Sequence, residues 1–77
     1  MIKTLTEKFE KKMQGNGIIN FNEETRTGEI EAIYYEGGRD ALAFLNENNL
    51  SQMSGRCDAR EDLDGDEFLV YTYTFKY

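Results

Sequence analysis

Phe68-Leu69-Val70-Tyr71-Thr72-Tyr73-Thr74-Phe75-Lys76-Tyr77 is the stretch that decides the fold. Aromatic and β-branched residues, which suit a pleated and half-buried surface, dominate it, and no Gly or Pro interrupts it. Leu69, Tyr71, Tyr73 and Phe75 alternate with Phe68, Val70, Thr72 and Thr74, the period-two pattern of a strand. Immediately before it, residues 58–67 hold Asp58, Glu61, Asp62, Asp64, Asp66 and Glu67, opposed only by Arg60. Asp64-Gly65 within that run is a hairpin signal. A two-residue loop there would set Cys57 opposite Thr72 and Glu61 opposite Phe68. A three-residue loop, Leu63-Asp64-Gly65, sets Cys57 opposite Tyr71, Ala59 opposite Leu69 and Met53 opposite Phe75. The longer loop matches apolar with apolar and ends in a left-handed Gly, so it is the expected turn.

The rest of the chain supplies partners for this hairpin. Ile2, Leu5, Phe9 and Met13 recur at helical spacing. Thr4-Leu-Thr-Glu7 fits a capping box, Glu7 and Lys11 are placed for an ion pair, and Gly15-Asn-Gly17 would stop the helix. Residues 17–22 and 29–35 read as two strands, with Phe21 expected opposite Ile30 and Ile19 opposite Ala32. A slip of one residue would bury the glutamates, which pins the faces. Gly37-Gly38 is expected to break the second strand, and residues 39–47 to form a helix burying Ala41, Leu42 and Leu45, with Phe44 at its margin. Asn48 and Asn49 suit its exit. The expected fold is therefore α+β, in α-β-β-α-β-β order: a four-stranded antiparallel sheet packed by two short helices, as one domain over residues 1–77.

Composition narrows the classes of function. With 77 residues the core is small, and one Cys and no His exclude an internal disulfide or a Cys/His metal cluster. Net charge is −6, distributed as +2 over residues 1–14 (Lys3, Lys8, Lys11 and Lys12 against Glu7 and Glu10) and −8 over the remainder. That sign is wrong for gripping a phosphate backbone, so no direct nucleic-acid binding is expected despite the sheet aromatics. The first residues show no apolar leader and no stretch approaches a membrane span, so a cytoplasmic protein without membrane contact is expected.

Each candidate site has a plain structural counterpart. Asp62-Leu-Asp64-Gly-Asp66 resembles the start of a calcium loop, but Glu67 stands where Gly is required and Tyr73 where the bidentate Glu belongs, so no metal is expected. Cys57 has Arg56 and Arg60 beside it but no His to act as base, and its place in the apolar alternation predicts packing. No phosphate loop and no catalytic constellation is present, so neither enzymatic activity nor a cofactor is expected. On the far side of the sheet, Ile18, Ile33, Tyr35, Phe68 and Val70 would form an apolar face needing cover.

The expectation is a small acidic protein-binding module. Asp58, Glu61, Asp62, Asp64, Asp66 and Glu67 would steer it to a basic protein partner, with Tyr35, Phe68 and Val70 as short-range anchors. One concrete version is an inhibitor that occupies a nucleic-acid-binding surface as a nucleic-acid mimic, in the manner of phage-borne antagonists; only size and charge support it. The alternative is a homodimer, structural or regulatory, through the second sheet face.

Overall fold

The computed structural model describes residues 1–77. Its elements are α1 (Ile2–Met13), β1 (Gly17–Asn22), β2 (Thr27–Ile33), α2 (Tyr34–Glu47), β3 (Ser51–Glu61) and β4 (Glu67–Lys76). The strands form one antiparallel sheet in the order β1-β2-β4-β3. The aromatic run that decides the fold is thus a central strand. The architecture is the expected α+β arrangement in α-β-β-α-β-β order.

Both helices cover the same face of the sheet. Leu5, Phe9 and Met13 from α1 and Ala41, Phe44 and Leu45 from α2 join Ile30, Ala32, Tyr73 and Phe75 in one buried cluster. At its centre the Phe9 and Phe44 rings meet edge to face at 5.3 Å, a favoured aromatic geometry. The opposite face carries no helix.

α1 begins two residues before the expected cap. Its first hydrogen bond runs from the Leu5 N–H to the Met1 carbonyl, so Thr4 lies inside the helix and the capping box does not form. The helix ends at Gln14, which takes a left-handed conformation and donates its N–H to Glu10 O at 3.0 Å.

The first hairpin keeps its expected faces but shifts by two residues. Ile19 pairs with Ile30 and Phe21 with Gly28, in place of Ala32 and Ile30. An even shift leaves every side chain on its original face, so the hydrophobic pattern does not distinguish the two registers. Aromatic packing does. Gly28 also pairs with Phe75 on β4, and the Phe21 and Phe75 rings meet edge to face at 5.8 Å across it. A Cβ at position 28 would collide with the Phe75 ring.

Gly37-Gly38 does not break a strand; it lies buried within α2. The helix starts at Tyr34, which takes a positive φ of 66° and turns the chain out of the sheet. Gly38 lets α2 settle onto the Tyr71 ring, where a Cβ would lie 2.7 Å from ring carbons. Starting the helix early makes residues 37, 38, 41, 44 and 45 the buried face, so Phe44 is core and Leu42 is 40% exposed, the reverse of the expectation.

The second hairpin forms as expected from Cys57–Tyr71 and Ala59–Leu69 onwards, whereas a bulge between Gln52 and Ser54 leaves Met53 without a partner. β3 and β4 reach beyond the helices. Every residue of β3 is exposed. An eleven-residue strand spans about 37 Å, which matches the 38 Å long dimension of the molecule.

Packing against the helices also marks two tyrosines. Burial raises the Tyr71 phenol above its ordinary value, with Cys57 and Tyr35 adding to the effect, and burial followed by Tyr71 and Cys57 does the same for Tyr73. For an acid whose folded pKa is raised, the stabilising difference is fully present below the unfolded value of about 10 and is lost as pH climbs through the folded value. Denaturant midpoints are therefore expected to fall above about pH 10, and the fall should be smaller in Tyr73→Phe. Equal alkaline sensitivity of wild type and variant would contradict this origin.

Candidate functional site: an acidic turn at the end of a projecting hairpin

The turn is built by its own first carboxylate. Asp62 Oδ1 accepts the backbone N–H groups of Asp64 (2.9 Å) and Asp66 (3.0 Å). The Asp62 N–H donates to Asp66 O at 3.0 Å, and the Gly65 N–H to Asp62 O at 3.1 Å. Gly65 has a φ of 82°, the left-handed conformation that lets a three-residue loop close. Asp, whose side chain readily bonds the backbone two residues on, is the residue type this local architecture needs. Asp62 is thus a fastener of the turn as well as a charge.

This role has a measurable consequence. Asp62→Ala removes the acceptor of two N–H groups and is expected to cost about 1 kcal/mol, in line with exposed hydrogen bonds. Asp62→Asn keeps a carbonyl acceptor and should lose much less. Thermal melts of the two variants separate these outcomes, and equal losses would show that the charge, not the acceptor, matters.

Five of the six carboxylates in the run are free of cations. Arg56 Nε pairs with Asp58 at 3.3 Å, and Arg60 Nη1 with Glu31 Oε1 at 3.0 Å. Arg60, the single basic residue within the acidic run, is therefore turned away to β2. Glu61, Asp62, Asp64, Asp66 and Glu67 have no salt-bridge partner. Glu61 and Glu67 face one another across the ladder, a pairing of like charges that costs stability. No three acidic side chains converge closely enough to hold a metal ion.

The expected anchors are placed differently from one another. Phe68 lies on the open face and is half-buried, its ring 6.3 Å from that of Tyr34. Tyr35, expected on the same face, sits in the first turn of α2 and influences Tyr71 on the helix-covered face; it is 65% exposed. Strand alternation over residues 29–35 would have put Tyr34 on the covered face; it and Tyr35 have exchanged sides because the helix starts where the strand was expected to continue. Val70 is on the open face but 0% exposed. Glu31 pairs with Thr72 and Arg60 with Phe68, so their ion pair crosses β4 diagonally above Val70. Val70 therefore offers no surface to a partner.

Leu63 was not singled out from the sequence and is the most exposed large apolar side chain, at 106%. It stands at the apex of the turn, flanked by Asp62 and Asp64. An aliphatic residue in a turn otherwise made of Asp and Gly was the available signal. The largest surface hollow lies elsewhere, lined by Met1, Ile2, Lys3, Glu23, Arg26 and Tyr77. No helix is long and apolar enough to cross a membrane. Comparison with protein-family models, curated proteins and solved structures gives no match to this chain.

Proposed function

We propose that this chain is a small protein-binding module whose acidic hairpin docks on a basic surface of a partner protein. The observation that carries the reading is the set of carboxylates at Glu61, Asp62, Asp64, Asp66 and Glu67, left unpaired while the neighbouring arginines are engaged elsewhere. Unpaired charge carried on a self-fastened turn spares the cost of ordering the loop backbone on binding, which favours docking over simple solubilisation. Leu63 and Phe68 supply apolar contact beside the charge, and Asp58 lies farther along β3, already held by Arg56. A basic surface that normally holds nucleic acid fits this chemistry, and a cytoplasmic inhibitor of such a surface is the most specific form of the proposal. The test compares binding of a basic partner by wild type and by a turn with reversed charges across a salt series. Binding that neither the turn nor salt affects would end the reading.

A homo-oligomer through the open sheet face is the second reading. Ile18, 61% exposed on that face, favours it. The Arg60–Glu31 bridge over Val70 gives the same face a polar centre, which weakens it.

A further inference from the structure

β3 is a long edge strand with a bulge near its start and charges of both signs along it. Edge strands are normally short, covered or blocked because their free N–H and C=O groups recruit another strand. β3 is eleven residues long, carries no Pro, and has no helix over either face. The bulge at Met53 interrupts its ladder, so the regular part begins at Ser54.

We propose that β3 pairs with β3 of a second copy of this chain, antiparallel and centred on Cys57, to give a continuous eight-stranded sheet. The register follows from charge and size. A two-fold axis perpendicular to the sheet keeps each face continuous, so opposed residues must come from the same face. Centring on Cys57 sets Arg56 opposite Asp58 of the second copy, and Asp58 opposite its Arg56. Ser54 then meets Arg60. On the other face Gly55 meets Ala59, and the two Cys57 side chains meet each other. Small residues thus oppose small ones, and opposite charges oppose one another. Centring on Arg56 or on Asp58 instead sets like charges face to face. The segment from Ser54 to Arg60, which follows the bulge and precedes Glu61, has Cys57 as its midpoint.

Electrostatics on a larger scale agree. In this register the two Asp62 residues lie at opposite ends of the paired strands, about 34 Å apart at 3.4 Å per residue. That is several times the Debye length of about 8 Å at physiological salt, so the acidic turns do not repel one another appreciably. Centring on Ala59 also opposes Asp58 to Arg60, but brings the turns to about 20 Å and sets Cys57 against Glu61. A ladder of this length buries less than a standard stable interface, so micromolar dimerisation is expected. The inference is independent of whether the turn docks on a basic protein, since it uses the strand edge and not the turn.

The experiment is sedimentation equilibrium combined with thiol cross-linking by diamide, which oxidises two opposed thiols to a disulfide and is itself reduced. Wild type at tens of micromolar is expected to dimerise and to cross-link through Cys57. Cys57→Ser with Ala59→Cys moves the thiol opposite Gly55 and is expected to dimerise without cross-linking. Arg56→Asp and Asp58→Arg each turn two symmetric pairs repulsive and should weaken the dimer about tenfold. The double swap Arg56→Asp/Asp58→Arg should restore it. Ile18→Glu, on the open face, should leave the dimer intact. A monomer at all concentrations, cross-linking of the Ala59→Cys variant equal to wild type, no rescue by the double swap, or loss of the dimer in Ile18→Glu would each overturn the proposal.

Discussion

Changing Asp64, Asp66 and Glu67 to Lys is expected to slow association with a basic protein partner by about 10- to 1,000-fold at low ionic strength, the range that electrostatic steering covers. The variant leaves Asp62 in place, so the bonds that close the turn survive. Each change adds two charges, taking the net charge from −6 to 0. A control with Glu7, Glu10 and Glu24 changed to Lys reaches the same net charge with the turn intact. If overall charge alone drives binding, the two variants will behave alike. If the turn is the docking element, only the first will lose rate, and only the wild type and the control will slow steeply with salt. Stopped-flow association across a salt series reads both.

Phe44→Ala is expected to destabilise the fold by about 3–5 kcal/mol, the range for emptying an aromatic core position. A chain of 77 residues at typical stability holds about 4–12 kcal/mol in total. The variant should therefore lose a large part of that margin, with a clear fall in its denaturant midpoint. Phe44 is 1% exposed and meets Phe9 edge to face, so both the transfer and the packing contributions are lost at once. Leu42→Ala, two positions away on the exposed side of α2, should change stability by less than about 1 kcal/mol. Urea titrations of the two variants settle which residue α2 buries. Comparable losses would mean that the helix is rotated from the orientation described here.

How far this was legible follows the physics of each element. The three-residue turn and the Cys57–Tyr71 pairing were readable because local chemistry at Asp62–Asp66 and apolar alternation demand the same loop. The two sheet faces were readable for every strand residue up to Ile33. Beyond it, Tyr34 and Tyr35 were misplaced because Gly37-Gly38 normally marks a break, whereas here Tyr71 needs the bare backbone of Gly38 to approach α2. That contact joins residues 33 positions apart, and no local pattern announces it. The same limit explains the candidate site. Its acidic residues were visible at once, but the pairing of Arg60 with Glu31, which both frees the turn and roofs Val70, depends on β2 lying beside β4.

The fully exposed Leu63 gives the turn a property that charge alone would not. A cationic surface attracting these carboxylates would first be touched by an aliphatic tip that gains nothing from water or from ammonium groups. Flat basic patches would hold such a tip poorly, whereas a dry recess ringed by Lys or Arg would accept it. The peg would thus select among many positively charged proteins by the shape of their surface, a discrimination that long-range attraction cannot make.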